Sequence, residues 1–121
     1  VNKPPASSNK DQRKSARKAL LSNAIFISLN VTSKLANTID LSMDGVSLNL
    51  PSALKVGQSC AITFDVPADG RFQRALITGK VASCVESGDQ GYRVGIHFVQ
   101  VDQTSKELIR LALDKYLNIN V

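Results

Sequence analysis

The stretch from Ile39 to Leu50 constrains the fold of this chain more than any other. Ile39, Leu41 and Met43 precede its midpoint and Val46, Leu48 and Leu50 follow it, with Asp40, Ser42, Ser47 and Asn49 between them. Strict alternation is the pattern of a strand with one buried face, because successive side chains of a strand point to opposite sides. Asp44-Gly45 stands at the midpoint, and Asp-Gly signals a type I′ hairpin turn whose central residues both take positive φ. A turn centred there pairs Met43 with Val46, Leu41 with Leu48 and Ile39 with Leu50 on a dry face. It pairs Asp40 with Asn49 and Ser42 with Ser47 on a polar one. A polar strand face beside a turn is ordinarily solvated and by itself assigns no function.

The remaining pattern extends this hairpin into a mainly β domain. Ala24–Val31, Leu35–Ser42, Val46–Leu50, Ser59–Val66 and Phe72–Val85 all read as strands, and Tyr92, Val94, Ile96 and Phe98 then alternate with Arg93, Gly95 and His97. Lys55–Gln58, the cluster Pro67-Ala68-Asp69-Gly70, and Ser87–Gly91 read as turns. Gly79, inside a long strand, marks a bulge or a close backbone approach. After Asp102 the period changes. Thr104 is the expected N-cap, with Glu107 closing a capping box, and Leu108, Leu111, Ala112, Leu113, Tyr116 and Leu117 recur at helical spacing. Consecutive strands with short turns, then one amphipathic helix, imply an antiparallel barrel or sandwich covered by a C-terminal helix.

Composition narrows the function. The chain has 121 residues, enough for one small domain. No apolar run is long enough to span a bilayer and no signal-peptide core opens the chain, so a cytoplasmic location is expected. The net charge of +5 and pI near 9.5 favour an anionic partner. Cys60 alternates in phase with Ile62 and Phe64, which reads as a buried thiol in a reducing compartment; a Cys60–Cys84 bridge is the alternative. One histidine does not make a zinc ligand set. His97 falls out of phase with Ile96 and Phe98, as a rim residue would. No acid–base pair, metal cluster or phosphate loop is present, so the chain reads as a binding module without catalytic residues, metal or cofactor.

The N-terminus carries the second informative segment. Residues 1–9, with Pro4, Pro5, Ser7 and Ser8, read as a flexible linker or tail, and residues 10–119 as the domain. From Lys10 the chain turns basic, with Arg13, Lys14, Arg17 and Lys18 against Asp11 alone. Such a run is commonly a solvated tail. Yet Arg13 and Arg17 lie just before the first strand, and a guanidinium fork fits phosphate oxygens or the O6/N7 edge of guanine and stacks on purines. Asp40 suits the N1–H and N2–H₂ edge of guanine, Ser42 can hydrogen-bond phosphate or base, and Gly45 lets backbone approach a ligand closely.

These residues resemble a known signature. Arg13-x-x-x-Arg17 followed by Asp40-x-Ser42-x-x-Gly45 is similar to the bipartite motif of the PilZ domain family, RxxxR and (D/N)xSxxG. Ile77-Thr78-Gly79-Lys80-Val81 and Tyr92-Arg93-Val94-Gly95-Ile96-His97-Phe98 are similar to two further strands of that family, the second of the form G-hydrophobic-x-F. The resemblance covers roughly Lys10 to Leu117. It implies a six-stranded antiparallel β-barrel with a C-terminal helix, and binding of the bacterial second messenger cyclic di-GMP as a receptor or regulatory module, with a larger effector protein or fused output domain as a further partner. Carried over, Arg13 and Arg17 would contact phosphate and guanine, and Asp40, Ser42 and Gly45 the other guanine edge and nearby backbone. Gln12 stands where many members have arginine, and Asp44 where many have glycine, so one cation is missing and one anion added; Lys14 offsets part of that loss. Gln12, Lys14 and Asp44 are thus secondary site candidates.

Two other readings stay open. A basic barrel can bind single-stranded nucleic acid, but such surfaces combine cations with exposed stacking aromatics. Here Phe64, Tyr92, Phe98 and Tyr116 are phased inward. A PilZ-like interaction module serving type IV pilus assembly without nucleotide would have no need for Arg13, Arg17, Asp40, Ser42 and Gly45 together.

Overall fold

The alternating segments all become strands in the computed structural model, which describes residues 16–28, 33–88 and 91–117. These are β1 (Lys18–Ala19), β2 (Asn23–Ser28), β3 (Ser33–Leu41), β4 (Gly45–Leu50), β5 (Ser59–Ala68), β6 (Arg71–Glu86) and β7 (Tyr92–Val101). They run in the order β1-β3-β2-β5-β6-β7-β4, and a further β3–β4 pairing closes the six longer strands into an antiparallel barrel. Closure removes the exposed strand edges that an open sheet of this size would present. β1 shares one edge of β3 with β2. Lys18 and Ala19 pair with Leu41 and Asp40, and Asn23 to Ile27 pair with Asn37 to Ser33. β1 and β2 therefore form one interrupted stave along β3. The interruption is filled by Thr38, buried, whose hydroxyl donates to the Leu20 carbonyl at 2.7 Å and accepts from the Ser22 amide at 2.9 Å.

The inner face follows the period of two. β5 buries Cys60, Ile62, Phe64, Val66 and Ala68, β4 buries Val46, Leu48 and Leu50, and β7 buries Val94, Ile96 and Phe98. On β2 the inward set is Ala24 and Phe26. Each fully buried large side chain contributes about 1.5–3 kcal/mol relative to exposure. Helix α1 (Gln103–Leu111) and a wide π-helical turn (Ala112–Tyr116) then lay Ile109, Ala112, Leu113 and Leu117 onto the core. The Ser105 hydroxyl accepts from the Leu76 amide at 2.9 Å and ties the helix to β6. Gly79 is the expected close approach: a Cβ there would lie 2.4 Å from the His97 carbonyl oxygen, and the β6–β7 register shifts at that point. Cys60 is buried, Cys84 is half-buried, and both are free thiols.

Four local expectations fail for physical reasons. The helix is capped by Asp102, whose carboxylate accepts from the Ser105 amide at 3.1 Å, and not by Thr104; Glu107 pairs with Arg110 and Gln103 instead of reaching back. β7 runs straight into the cap, so Asp102 is the first residue with a capping side chain that the chain reaches. Pro67 and Ala68 belong to β5, and the turn shrinks to Asp69-Gly70, with φ of 54° and 81°. That is the type I′ geometry expected of Asp44-Gly45. Around Asp44, by contrast, the Ser42 amide donates to the Gly45 carbonyl at 2.9 Å, which makes Met43 and Asp44 the turn residues, neither of them at positive φ. Leu41 consequently meets Val46 and Asp40 meets Ser47, in place of Leu48 and Asn49. A bulge between Thr38 and Asp40 then brings Thr38 opposite Leu48 and takes Ile39 off the fully buried face. Finally, Tyr116 is partly exposed and Phe72 lies on the surface. Both stand by the β5–β6 turn, where Tyr116 donates to Asp69 at 3.2 Å.

Candidate ligand-binding face

Asp40 is the centre of the outer face. It lies on β3 opposite Ala19 of β1 on one side and Ser47 of β4 on the other. Although it points away from the core, its side chain is only 1% exposed, because two guanidinium groups cover it. Arg17 Nη1 donates to Oδ1 at 2.8 Å and Arg93 Nη2 donates to Oδ2 at 2.7 Å. The two arginine side chains remain 35% and 49% exposed. A buried carboxylate is tolerable when each oxygen receives a charge-assisted hydrogen bond, and here each does. The clamp holds two cations against one anion, so the face keeps a positive surplus.

Topology explains how residues so distant in sequence converge. The β1–β3 pairing sets Ala19 against Asp40, so Arg17, two residues earlier, reaches the carboxylate. Arg93 arrives through barrel closure. It pairs with Asn49 on β4, the strand that separates β7 from β3. Gly45 seats the clamp: a Cβ there would lie 2.6 Å from the Ile96 carbonyl oxygen and 3.1 Å from Arg17 Nη2. The glycine is thus required by two neighbours, a strand backbone and a guanidinium, and not by a left-handed turn.

Ser42 and Asp44 do different work. Ser42 is buried, and its hydroxyl donates to Asp44 Oδ1 at 2.8 Å, with the Gly45 carbonyl at 3.3 Å. The Phe98 amide donates to the Asp44 carbonyl at 2.9 Å, which pins the turn to β7. Ser42 thus shapes the turn that carries Gly45, and Asp44 is exposed beside it. Behind the face, Lys18 Nζ donates to the Leu113 carbonyl at 2.8 Å, tying the arm to the C-terminal turn. Arg17 and Lys18 both hold defined partners within the chain.

The structure therefore unites Arg17, Asp40 and Gly45, with Ser42 and Asp44 alongside. Gln12, Arg13 and Lys14 lie outside the described residues. Residue type and spacing do not single out Arg93 from Arg71 and Arg74 as an extension of the site. The alternation did place it on the outer face with Gly95 and His97. What the alternation lacked was the β4–β7 pairing that brings it to Asp40. Arg74 is engaged elsewhere, with Asp65 and Thr63 on β5. Among the described residues no group of His, Cys, Asp and Glu is arranged to hold a metal ion, and no helix is long and apolar enough to cross a membrane.

A closed six-stranded β-barrel with a helix on its core, and an arginine–carboxylate clamp on its outer wall, defines the class of module. The sequence matches the PilZ domain family over residues 11–114, and the chain belongs to that family. Among solved structures, the chain is similar to the Bacillus subtilis inhibitor of motility MotI/DgrA, with a TM-score of 0.66 and 10% identity over 85% of this chain; it spans only 50% of that one. It is similar to the PilZ domain of YcgR from Escherichia coli, solved with c-di-GMP, with a TM-score of 0.60 and 20% identity over 85% of this chain and 90% of that one. The PilZ domain of CeSA from a cellulose-synthesizing bacterium gives a TM-score of 0.55 and 15% identity over 81% and 95% of the two chains. At such identities these likenesses speak for the fold. No curated protein sequence matches.

Proposed function

We propose that this protein is a receptor for cyclic di-GMP and binds it on the outer face around Asp40. The observation that carries the reading is the meeting of the two motif halves, with Arg17 bonded to Asp40 and packed over Gly45. A similar PilZ domain, that of E. coli YcgR, was solved with c-di-GMP. The chemistry suits a dianionic purine dinucleotide. Arg17 and Arg93 offer unused guanidinium edges to phosphate oxygens or to the O6/N7 edge of guanine. A carboxylate oxygen accepts more than one hydrogen bond, so Asp40 can retain its arginines and take a guanine N–H once the half-exposed Arg93 shifts. Arg13 adds a further cation from the arm, with Gln12 and Lys14 flanking it. Ser42 and Asp44 hold the turn that keeps Gly45 flat against β7.

On this reading residues 10–119 form a cytoplasmic regulatory domain, residues 1–9 lead into it, and a larger effector or fused domain receives the signal. Calorimetric titration with cyclic di-GMP tests it, with GMP, GTP and a single-stranded oligonucleotide as controls. Selective binding of the cyclic dinucleotide, lost in Arg17→Ala, is expected. A response to the oligonucleotide alone, or no heat from any of the four, overturns the reading.

A further inference from the structure

The clamp does not exhaust the cations on this wall of the barrel. Gly45 of β4 pairs with His97 of β7, and His97 pairs with Lys80 of β6. All three lie on one cross-strand ladder, where neighbouring Cβ positions are about 4.5–5.5 Å apart. His97 and Lys80 are exposed, and their strand neighbours Ile96, Phe98, Gly79 and Val81 are buried, so both side chains leave the outer surface. Gly45 contributes no side chain, and the guanidinium of Arg17 occupies the space above it. The ladder therefore carries three cationic side chains in line, Arg17, His97 and Lys80, when His97 is protonated.

The neighbouring ladder is a low floor. Ser47 pairs with Gly95, and Gly95 with Ser83. Gly95 adds no side chain to this floor, and a Cβ there would come within 2.6 Å of Ser83 Oγ and displace that hydroxyl. Beyond that floor stands Arg93, four residues from His97 along β7 and so about 13 Å away. The wall thus presents a shallow trough of Ser47, Gly95 and Ser83 with cations on both sides, and a dinucleotide has the length to span it.

We propose that the His97–Lys80 end of this trough is a second phosphate subsite. With cyclic di-GMP anchored at the Asp40 clamp, the far phosphodiester lies against Arg17, His97 and Lys80. The proposal rests on the cyclic di-GMP reading above. The charged groups around His97 are Lys80, its register partner on β6, and Arg17, whose guanidinium lies over its other register partner Gly45; Arg93 stands further along β7, and Asp44 and Lys106 line a hollow beside Phe98, the next residue of β7. Asp40 stands behind Arg17 with both oxygens engaged. The phosphodiesters are anionic, so a protonated imidazole strengthens the contact and a neutral one weakens it.

His97 is the single histidine of the chain, so its ring resonances report this subsite without ambiguity. The test is calorimetry with cyclic di-GMP at about pH 5.5 and about pH 8 on the wild type, His97→Gln and Lys80→Gln, together with the His97 imidazole resonances. We expect wild-type affinity to be roughly three- to tenfold higher at the lower pH, with the imidazole signals shifting on ligand addition. His97→Gln should flatten the pH profile. Lys80→Gln should weaken binding about threefold or more at both pH values. Binding by all three proteins with one affinity and one pH profile, with unmoved imidazole signals, overturns the subsite and leaves the cyclic di-GMP reading standing. No binding by the wild type at either pH overturns that reading, and the subsite with it.

Discussion

Asp40 offers a sharp test of whether the outer face is built around a true charge clamp. Consider a double-mutant cycle between Asp40→Asn and Arg93→Gln. The contact is a single charged hydrogen bond of 2.7 Å between a carboxylate 1% exposed and a guanidinium 49% exposed. A hydrogen bond to a charged group nets about 1.5–3 kcal/mol when sheltered, and an exposed ion pair about 0–1 kcal/mol. With one partner buried and the other half in water, the coupling energy should be about 1 kcal/mol. The Arg17 contact, 2.8 Å with the arginine side chain 35% exposed, should couple by a similar amount. Asp40→Asn weakens both contacts but keeps the shape and one acceptor, so it should destabilise the fold by ~1–2 kcal/mol.

Urea unfolding followed by circular dichroism reads these numbers as shifts of the midpoint at constant m. The corresponding loss in Tm for Asp40→Asn is about 4–8 °C for a chain of this size. Because the carboxylate end is buried, raising salt should erode the coupling only in part. A coupling below about 0.3 kcal/mol, within the additivity of independent sites, refutes the clamp. An Asp40→Asn protein more stable than the wild type refutes it as well, since that would mean a carboxylate poorly compensated by its arginines.

Gly45→Ala should cost ~1–3 kcal/mol in urea unfolding, since a methyl 2.6 Å from the Ile96 carbonyl oxygen must push β4 from β7, and it should weaken cyclic di-GMP in calorimetry by unseating Arg17. Lys18→Ala should speed amide exchange over Leu113–Leu117, where the Lys18 ammonium now holds the Leu113 carbonyl, and leave exchange in β5 and β6 unchanged. Burial pushes the Cys60 thiol up to about 11 from the ordinary 9.0. The folded protein then keeps this proton where the unfolded chain loses it, so the associated stability is whole below about pH 9 and is lost as pH rises through about 11. Urea midpoints across that window should fall more steeply for the wild type than for Cys60→Ala.

The barrel was legible because its signal is local. Alternation in β4, β5 and β7 needs only the residues themselves, and a strand with one dry face leaves little freedom as to which side chains turn inward. What alternation could not supply was the turn geometry. The chain has two Asp-Gly pairs, and the dipeptide alone favours a type I′ turn at both. Asp69-Gly70 joins two long strands with nothing packed against its glycine, so local preference prevails there. At Asp44-Gly45 the glycine is claimed by β7 and by Arg17, the turn moves back one residue, and the register moves with it. The misplaced helix cap has the same root: Thr104 is a good capping residue, but where β7 ends is a tertiary fact.

The same distinction governs the site. Arg17, Asp40, Ser42 and Gly45 could be picked out by residue type and spacing, because hydrogen-bonding chemistry is carried by side chains. Their partnership could not, and it changes what they do. Asp40 is not a carboxylate waiting in water for a guanine edge, since its two oxygens already hold two guanidinium groups. On the proposed reading, a ligand arriving here would meet a pre-formed cationic surface whose buried anion keeps the arginines from scattering into solvent. Pre-organisation of that kind lowers the ordering cost of binding, and the same contacts must loosen if guanine is to reach the carboxylate. Arg93, the more exposed partner, is the one whose release costs least. Arg93→Gln should therefore separate the two roles. Loss of phosphate contact alone weakens the ligand, whereas relief of competition at Asp40 strengthens it, and the sign of the measured change tells which contribution is the larger.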